Sequence, residues 1–576
     1  MPSMDDLTKQ YLRKAKKDAV EVLLERGREA IAALGLAEVD PRLEAYCLGL
    51  VENPEAHNLF ELLALRRFIS FCHSYELRPN VVKSKIVVFE SLRFPSEKGL
   101  RPIKLSPVQV FALTGIYGFY RADGKRLTRN VMLFVPRKFG KTTLVAGIAI
   151  DELIFGDADG QIFACANSYQ QAKLCFDTMR DCIRALDKTG RRFRVNREVI
   201  FNKMRGRTSF ARCLASNPST LDGLNASLYI LDEFSQSKSA ELRNVMATST
   251  GTRENPLEII ITTASELQEG PCVDTLEAYK QILLGAAEDD SVFALIFQPD
   301  ADDIEGEAST WRKVQPHLGY TVKEDYYQNQ WAKAQQTADN MLAFRTKLLN
   351  LFAVNDAKAW ITGDEIRDLF KPFSFDDLVA DTPPITMVSF DLSVWDDFSA
   401  VTYEVYDQAR QSFHFHTDYY LPEETLGRHA RAELYRSWAD KGYLHLLPGS
   451  VIDYDLVIKD IIARNGRVLI AGIGYDPYHS KQAVNMLQAY GAGSVLKPIK
   501  QTYGAFTGAV ETLEMMIKTK QCTFTPNPIT AWCFGNCDMD EDSVGNRKPI
   551  KRIHSAKIDG AITCLMCQDL FINFKR

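Results

Sequence analysis

Short apolar runs alternate with helical patterns through the central part of the chain. Each run holds four to six apolar residues, and the clearest are NVMLFVP, QIFACAN, ASLYILDE and LEIIITTAS. Runs of this length between helices are typical of a parallel sheet that is buried on both faces. We therefore expect an α/β domain with a mainly parallel sheet over residues 96–270.

Helical periodicity dominates on both sides of this region. Before it, LRKAKKDAVEVLLERGREAIAALG spaces its apolar residues as amphipathic helices do, which predicts a helical segment over residues 1–95. After it, EDYYQNQWAKAQQ indicates helix within residues 271–380, which we expect to form a lid or linker. The stretch ADTPPI then interrupts the pattern and indicates a domain boundary.

A second series of strands is predicted over residues 381–576. Its apolar or alternating runs are TMVSFDLS, SAVTYEVYDQ, SFHFHTDYYLP and VLIAGIGYDP. A helix pattern, EETLGRHARAELYRSWADKG, separates the third run from the fourth, and a final apolar helix is predicted over about residues 555–570. Three strands, a helix, a strand and further helices describe an RNase H-like α/β layout.

The composition is that of a globular protein with more than one core. At 576 residues the chain is too long for a single ordinary core, so two large domains with accessory segments are expected. With a net charge of −5, any surface for a polyanion has to be a local patch. No apolar run is long enough to cross a bilayer, and the N-terminus lacks the apolar core of a secretory signal. We expect a protein of a reducing cytoplasm, without a membrane.

Four of the twelve cysteines form two close pairs. Cys533 with Cys537, and Cys564 with Cys567, could together hold a zinc ion. The second pair lies in AITCLMCQDLF, where helical spacing also explains both residues as small buried hydrophobes. We favour the buried interpretation.

The stretch VMLFVPRKFGKTT ends as nucleotide-binding loops do. Gly140, Lys141 and Thr142 supply the turn, the cation and the hydroxyl that hold phosphates and Mg²⁺, with Thr143 beside them. A strand pattern precedes the loop and a helix pattern follows it, as the motif requires. The alternative is a solvated basic turn, because GKT also arises by chance. Upstream, Gln109 could read the adenine edge or could be a polar surface residue.

Paired acids and a hydroxyl-rich strand end follow in the order that ATP hydrolysis requires. One strand ends in Asp232, predicted to hold the Mg²⁺ shell, and Glu233, predicted to polarise the attacking water. A later strand ends in Thr262, Thr263 and Ser265, predicted to sense the γ-phosphate and pass the signal on. Paired acids could also cap a helix. Since each feature closes a strand, where open α/β sheets place ligands, we predict a P-loop ATPase domain.

The front of the loop departs from the usual pattern, because Val135 stands where glycine is expected. The change brings in Arg137 and Lys138, which could reach the γ-phosphate from within the same subunit. Arg137 is our candidate for a cis-acting arginine. The candidates for a trans-acting arginine from a neighbouring subunit are Arg212 and Arg253.

Three acids of the second half each interrupt an apolar element. Asp391 lies in a strand on the face opposite its apolar neighbours, Asp476 closes a strand, and Asp559 opens a helix. A carboxylate in such a place is costly unless it is paired or metal-bound. Singly, Asp559 could cap its helix and Asp476 could open a turn. Together they could hold two Mg²⁺ ions about 3.5–4 Å apart for phosphodiester cleavage, with Asp397 as an outer ligand.

Basic residues near these acids could meet a DNA backbone. They are Lys497, Lys500, Lys548, Lys551, Arg552 and Lys557. A cluster of charges is more often a solvated face, so we rank this patch below the acids.

An ATPase half followed by an RNase H-like nuclease half resembles the large terminase subunit of tailed bacteriophages, the DNA-packaging motor. The resemblance covers roughly residues 95–572 and rests on VPRKFGKTT, LDGLNASLYILDE, IIITTAS, SFDLSVWDDFSAV, GYDP and KIDGA. Its most specific element is the co-occurrence of both halves in this order. One departure is Asp222, which lies where some relatives carry a trans-acting arginine. The N-terminal helices carry no motif of this family.

The resemblance implies activities, cofactors and partners. It implies that Lys141 and Thr142 bind ATP and Mg²⁺, that Glu233 is the catalytic base, and that the three acids of the second half bind the nuclease metals, with Mn²⁺ able to replace Mg²⁺. Terminases of this kind assemble as a ring, a pentamer by analogy, on the portal protein of an empty procapsid. A small terminase subunit selects the double-stranded DNA, and the nuclease cuts the concatemer. The implied location is the host cytoplasm, with transient binding at the portal vertex.

Two other functions fit parts of the pattern. One is a helicase or other DNA translocase in which the second half only binds nucleic acid. The other is a structural packaging adaptor whose sites are inactive.

Overall fold

The computed structural model describes residues 4–97, 99–215, 223–353, 360–375, 383–393, 398–408, 411–428, 432–465, 467–478, 480–551 and 557–574. Internal contacts divide the chain into two units, Met1–Asn355 and Asp356–Arg576. Within these described ranges, no helix has both the length and the apolar character needed to span a membrane.

The first unit begins with helices and continues as an α/β fold. Its helices are α1 Met4–Val22, α2 Arg28–Ala33, α3 Pro41–Glu52, α4 Leu59–Ser74, α5 Pro79–Ser91, α6 Pro107–Tyr117, α7 Lys141–Phe155, α8 Tyr169–Leu186, α9 Glu241–Ser249, α10 Pro271–Leu284, α11 Ala308–Val314, α12 Glu324–Ala334 and α13 Ala338–Lys347. Its strands are β1 Glu76–Leu77, β2 Arg93–Ser96, β3 Gly99–Pro102, β4 Phe119–Tyr120, β5 Asn130–Phe134, β6 Gln161–Ala166, β7 Phe193–Val195, β8 Val199–Asn202, β9 Phe210–Ala215, β10 Leu228–Asp232, β11 Leu257–Thr262 and β12 Val292–Ile296.

The main sheet of this unit has the strand order β12-β5-β11-β10-β6-β9-β8-β7. The strands from β12 to β9 run parallel, and β8 and β7 continue the sheet antiparallel. The four apolar runs predicted as strands are β5, β6, β10 and β11, which are neighbours in the middle of the sheet. All six residues of β11 are buried, as expected for a strand covered on both faces. The predicted parallel sheet is confirmed.

The N-terminal helices share the hydrophobic core of this sheet. Phe89 of α5 is fully buried against α7, where Gly147 leaves space for its ring. A Cβ atom at position 147 would come within 2.2 Å of Phe89 Cε1, so glycine allows the two helices to approach closely. Buried residues from Ala19 to Phe297 form one continuous apolar cluster.

The second unit is built on a mixed sheet. Its helices are α14 Gly363–Arg367, α15 Ala432–Asp440, α16 Tyr454–Arg464, α17 Lys481–Ala489, α18 Tyr503–Lys518, α19 Pro528–Gly535 and α20 Asp559–Ile572. Its strands are β13 Ile385–Asp391, β14 Ser399–Asp407, β15 Ser412–Pro422, β16 His445–Leu447, β17 Leu469–Tyr475, β18 Leu496–Pro498, β19 Cys522–Phe524, β20 Cys537–Glu541 and β21 Arg547–Lys551.

The order of this sheet is β16-β15-β14-β13-β17-β18, and β19 also pairs with β15. Strands β13, β14 and β15 form an antiparallel meander, and β17 and β18 join β13 in parallel. This is the predicted RNase H-like layout, which is confirmed.

The two faces of β13 pack against different helices. Val388 and Phe390 share a core with α16 and α17, whereas Met387 lies in the core that contains α20. Ser389, on the same face as Met387, hydrogen-bonds to α20 through the carbonyl of Thr563. By alternation, Asp391 belongs to the face that α20 covers.

Candidate active sites

The loop between β5 and α7, residues 135–140 and here called the phosphate loop, has the backbone of a phosphate-binding turn. Gly140, directly before α7, has a φ of +86°, and Lys138 has a φ of +72°. A side chain is strained in this left-handed region, so the turn itself favours glycine at position 140. In the part of the chain that the structure describes, no side chain caps the first N–H groups of α7. The positive end of this helix is therefore suited to an anion.

Val135 extends the sheet at the position where such loops usually have glycine. Its N–H donates to the Thr262 carbonyl at 3.0 Å, and its own carbonyl accepts from the Thr263 hydroxyl at 2.7 Å. Its side chain is fully buried. The turn therefore begins only after Val135, and the residue itself does not need the conformational freedom of glycine.

The loop is held from outside by the region after β12. The Phe139 ring is buried and lies parallel to the His317 ring, with 4.9 Å between their centroids. The Arg137 N–H donates to the Lys347 carbonyl at 2.9 Å, and the Arg137 carbonyl accepts from Gln315 Nε2 at 2.8 Å. The backbone of the loop is thus fixed while its basic pair stays exposed.

Lys141 and Glu233 meet at the carboxyl edge of the sheet. Lys141 Nζ lies 3.0 Å from Glu233 Oε1 and also donates to Thr263 Oγ1. Strands β5, β10 and β11 are parallel neighbours, so their ends bring these residues together. The cluster combines a cation suited to phosphates with a carboxylate suited to accept a proton from water.

Asp232 lies beside this cluster, where a bound cation would stabilise its ionised carboxylate. Burial, and then the charge of Glu233, raise the pKa of Asp232 to about 6, against the opposing effects of Lys141 and of a hydrogen bond from the Glu233 N–H. Thr142 adds a hydroxyl in the first turn of α7. A carboxylate and a hydroxyl are oxygen ligands of the kind that Mg²⁺ prefers, so these residues fit a magnesium ion by their chemistry.

The loop after β11 is tied to the turn that follows the paired acids. Thr262 Oγ1 accepts from the Ser235 N–H at 3.0 Å, and the Ser265 hydroxyl donates to the Ser235 carbonyl at 2.7 Å. Thr263 contacts both Val135 and Lys141. A movement of Lys141 or Glu233 can therefore reach this loop through one or two hydrogen bonds.

The side-chain amide of Gln109 forms hydrogen bonds within the protein. Its Oε1 accepts from the Ser106 N–H at 3.0 Å in the N-terminal cap of α6, and its Nε2 lies 3.4 Å from the Phe139 carbonyl. Only 8% of the residue is exposed. The contacts support the phosphate loop, and adenine recognition by Gln109 stays a prediction.

The two candidate trans-acting arginines differ in their exposure to solvent. The Arg253 side chain is 6% exposed, and its guanidinium lies 2.8 Å from Asp159 Oδ1 and 3.0 Å from the Asn225 carbonyl. These contacts give Arg253 a structural role. Arg212 in β9 is exposed. Its exposure makes it the better candidate to reach a neighbouring subunit, and this role stays a prediction. Asp222 lies outside the described residues.

Three residues at the phosphate loop escaped the sequence predictions: Gln315, His317 and Lys347. Lys347 is the last residue of α13, where a basic residue is ordinary. The other two lie in the connection between α11 and α12. Their local patterns carry no signal for a nucleotide site, because only the fold brings them to the loop.

Asp391 and Asp476 end neighbouring parallel strands. Asp391 is the last residue of β13, Asp476 directly follows β17, and the register pairs Phe390 with Tyr475. The two acids therefore occupy adjacent ladder positions, on strands roughly 5 Å apart.

Helix α20 brings Asp559 to the same edge because it runs antiparallel to β13. The Ser389 hydroxyl donates to the Thr563 carbonyl at 2.6 Å, and one turn later Cys567 Sγ lies 3.5 Å from the Met387 carbonyl. Four residues of helix cover about 6 Å and two residues of strand about 6.6 Å, which are similar lengths. The first residue of α20 is therefore level with the last residue of β13.

Asp476 is held by contacts to both of its oxygens. The Tyr478 N–H donates to Oδ1 at 2.9 Å, and Gln501 Nε2 donates to Oδ2 at 2.8 Å. Gln501, which follows β18, was not predicted from the sequence, since an exposed glutamine after a short strand has no distinctive pattern.

The three carboxylates suit Mg²⁺ or Mn²⁺ by chemistry. Over the ranges that the structure describes, however, no group of three His, Cys, Asp or Glu side chains is placed to hold a metal ion. Binding of shared cations by Asp391, Asp476 and Asp559 therefore stays a prediction. Asp397 lies outside the described ranges.

The four clustered cysteines are buried. Burial raises the pKa of Cys564 to about 12 and that of Cys533 and Cys567 well above the ordinary value. Zinc ligation needs thiolates, so these sites favour protonated, hydrophobic thiols.

The predicted basic patch is largely exposed. Lys497, Lys500 and Lys551 are exposed, Lys557 is half-buried, and Lys548 Nζ lies 4.4 Å from the centroid of the Tyr503 ring. Arg552 falls outside the part of the chain that is described. Contact of this patch with DNA stays a prediction.

Two family models together match most of the chain. The model of the terminase large subunit ATPase domain matches residues 107–281, and that of the terminase large subunit endonuclease domain matches residues 286–573. The chain belongs to the terminase large subunit family. The resemblance predicted from the motifs is confirmed.

Two relatives of this terminase large subunit match 81% and 91% of its length. The terminase large subunit of Enterobacteria phage HK97 is 24% identical over 481 residues, which is 81% of this chain and 90% of the relative. That of Lactococcus phage SK1 is 22% identical over 545 residues, or 91% of this chain and 97% of the relative. The crystal structure of the HK97 large terminase shares the fold, with a TM-score of 0.51 and 22% identity over 85% of this chain and 99% of that chain.

The family match confirms the predicted activities in their coarser form. This terminase large subunit is an ATPase and an endonuclease of DNA packaging, and it uses a nucleotide and a divalent cation. The match to an endonuclease domain removes the alternative of a translocase whose second half only binds DNA.

The start of the endonuclease match and the boundary between the units differ. The match begins at residue 286, yet β12 pairs with β5 in the sheet of the first unit. Strand pairing fixes where a segment folds, so residues 292–296 belong structurally to the ATPase sheet.

Proposed function

We propose that this terminase large subunit hydrolyses ATP to translocate double-stranded DNA into a procapsid and cuts concatemeric DNA by two-metal chemistry. The observation that supports this best is the contact of Lys141 with Glu233 and Thr263 beside a left-handed phosphate loop. ATP hydrolysis requires a cation for the phosphates and a base for the attacking water, and a hydroxyl that contacts the cation can sense the γ-phosphate. Lys141, Glu233 and Thr263 supply these groups at one edge of the sheet.

In the proposed ATP site, the N–H groups at the start of α7 and the Lys141 ammonium bind the phosphates, and Gly140 allows the backbone to turn toward them. Gln109 lies at the adenine side, and Lys138 and Thr143 line the phosphates. Mg²⁺, when bound by Thr142 and Asp232, neutralises phosphate charge.

Catalysis then rests on two further side chains. Glu233 accepts a proton from the attacking water, and Arg137 stabilises charge on the γ-phosphate from the same subunit. Thr262, Thr263 and Ser265 respond to the nucleotide through their contacts with Lys141 and Ser235.

In the proposed nuclease site, Asp391, Asp476 and Asp559 hold Mg²⁺, with Mn²⁺ as a substitute. Support comes from the adjacency of the ends of β13 and β17 and from the antiparallel course of α20. Bound divalent cations supply an activated water and stabilise the departing oxygen. Gln501 orients the Asp476 carboxylate.

The proposed partners follow from membership of the family. They are double-stranded DNA, a small terminase subunit and the portal protein of the procapsid, with this chain forming a ring, a pentamer by analogy, in the host cytoplasm and at the portal vertex. Residues 1–95 are proposed as a helical segment, 96–270 as the ATPase core, 271–380 as a lid or linker region and 381–576 as the nuclease domain. Within the third range, β12 pairs with β5 and so adds a strand to the ATPase sheet. The contacts of Gln315 and Lys347 with the phosphate loop support the lid.

The nuclease assignment is tested by plasmid digestion with Mg²⁺ or Mn²⁺. Asp391→Asn and Asp559→Asn should each remove cleavage in both cations. Asp455→Asn, which alters a half-buried acid of α16 paired with Lys459, serves as the matched control and should cut like the wild type. Cleavage at the wild-type rate by either site variant would refute the assignment.

A further inference from the structure

Ala264, in the loop after β11, has both of its backbone polar groups bound by side chains from one short segment. Its carbonyl accepts from Lys347 Nζ at 3.0 Å, and its N–H donates to Asn350 Oδ1 at 2.8 Å. Ala264 is fully buried. Buried backbone groups need partners, so this loop depends on residues Lys347–Asn350, here called the clasp.

The clasp also holds the phosphate loop. The Lys347 carbonyl accepts from the Arg137 N–H at 2.9 Å. The clasp itself is anchored, because Asn350 Nδ2 donates to the Phe297 carbonyl at 2.7 Å and the Tyr327 hydroxyl donates to the Leu348 carbonyl at 3.2 Å. One residue, Lys347, therefore contacts the phosphate loop with its backbone and the loop after β11 with its side chain.

Lys347 lies in the electrostatic field of the ATP site. Partial burial lowers the pKa of its ammonium, the charge of Glu233 opposes that effect, and the charges of Arg137 and Lys141 add to it. Glu266 contributes a further opposing charge. A phosphate bound beside Lys141 would change the balance of charge around Lys347.

We propose that Lys347 is a positioning residue that links the nucleotide state of the phosphate loop to the loop after β11. This inference rests on the proposed ATP hydrolysis. The negative charge of a γ-phosphate offers the ammonium a second attraction, so the bond from Lys347 to the Ala264 carbonyl depends on whether ATP is bound. The residues Thr262, Thr263 and Ser265 are then repositioned through Ala264.

The test compares ATP turnover, with and without double-stranded DNA, in Lys347→Met, Lys347→Arg and Lys347→Gln. Lys347→Met removes the charge and the donor at similar length, and its kcat should fall roughly 10- to 100-fold, as expected when catalytic groups are misplaced, while KM for ATP stays nearly unchanged. Lys347→Arg keeps both charge and donor and should restore most of the kcat. Lys333→Met, an exposed lysine at the end of α12, is the matched control and should match the wild type.

Lys347→Gln separates charge from hydrogen bonding. It keeps a donor for the Ala264 carbonyl, so it supports folding even if the methionine variant does not, and its kcat should fall while its thermal unfolding stays near that of the wild type. Wild-type kcat in either the Met or the Gln variant, or no rescue by Arg, would overturn the role of Lys347. Absence of ATP turnover in the wild type would instead refute the proposed ATP hydrolysis.

Discussion

Lys138 and Glu233 have left-handed backbones, with φ of +72° and +52°. This conformation costs a residue with a side chain about 1–2 kcal/mol, so it persists only where neighbouring contacts impose it. The Glu233 N–H is held by Asp232 Oδ1 and the Ile261 carbonyl, and the residues on either side of Lys138 are anchored to Lys347 and His317. Lys138 and Glu233 therefore place their side chains at the proposed ATP site at some cost in the free energy of unfolding.

Substituting Glu233 by glutamine tests its role as the base. The side chain keeps its size, so folding should be unaffected, but the amide cannot take a proton from water. We predict a kcat for ATP lower by roughly 10²–10⁴-fold, the usual contribution of a general base. Glu288→Gln, an exposed acid after α10, is the control for loss of charge and should keep its activity. A similar loss in both variants would contradict the assignment.

His317 predicts a pH dependence of stability. It is 4% exposed, and burial lowers the pKa of its imidazole from 6.5 to about 4. Between these values the unfolded chain binds a proton that the folded chain does not. The contribution of His317 to the free energy of unfolding should therefore fall as the pH drops from about 6.5 to about 4, by up to about 1.4 kcal/mol per pH unit.

The change that tests this is His317→Phe, which keeps a ring against Phe139 but cannot titrate. Denaturant unfolding across this pH range should show a shallower slope for the variant than for the wild type. His73→Gln, an exposed histidine in the last turn of α4, should leave the slope unchanged. Equal slopes in the wild type and His317→Phe would rule out His317 as the source.

Motif residues could be predicted from sequence, whereas their supports could not. Lys141 and Glu233 close or follow apolar strands, and parallel strands must bring such ends together. Lys347 and His317 lie far along the chain in ordinary helix-end and turn contexts. Their position depends on how the connections after β12 fold back, which local periodicity does not encode.

At the scale of elements, β13 and α20 carry two of the proposed nuclease acids, Asp391 at the end of β13 and Asp559 at the start of α20. The helix approaches the sheet closely at Gly560, where a Cβ atom would lie 2.0 Å from Tyr419 Oη. Tyr419 is fully buried and its hydroxyl bonds to Thr530, so the ring cannot move aside. The place of Asp559 therefore depends on its neighbour having no side chain.

Gly560→Ala should displace the first turn of α20. We predict a loss of about 1–3 kcal/mol in the free energy of unfolding, the usual cost of overpacking, together with loss of DNA cleavage and unchanged ATP turnover. Gly508→Ala is the matched control, since a Cβ atom there meets nothing within 4 Å. Tyr419→Phe added to Gly560→Ala should recover part of the stability. Wild-type cleavage by Gly560→Ala would contradict this account of α20.

Long apolar elements were predictable and short ones were not. Buried strands such as β11 can be recognised in the sequence from their continuous apolar residues. By contrast, β18 has three residues, and two of them are exposed. β7 and β8 extend the ATPase sheet from short, partly buried segments, FRV and VIFN. Pairing with a neighbour, rather than local propensity, makes these segments strands.

At the scale of the whole molecule, the chain carries two folded units with separate catalytic chemistry. The proposed residues of the ATP site all lie within Met1–Asn355, and the proposed nuclease acids all lie within Asp356–Arg576. The order of the two halves was predictable because each half has its own strand pattern and its own charged strand ends. A substitution in one site should leave the folding and chemistry of the other intact.

The most direct test measures ATP turnover and metal-dependent plasmid cleavage side by side in the wild type, Lys141→Ala and Asp476→Asn. The account predicts that Lys141→Ala loses ATP turnover but still cuts DNA, and that Asp476→Asn loses cleavage but still hydrolyses ATP. Wild-type protein that shows neither activity, or variants that keep the activity they should lose, would contradict it.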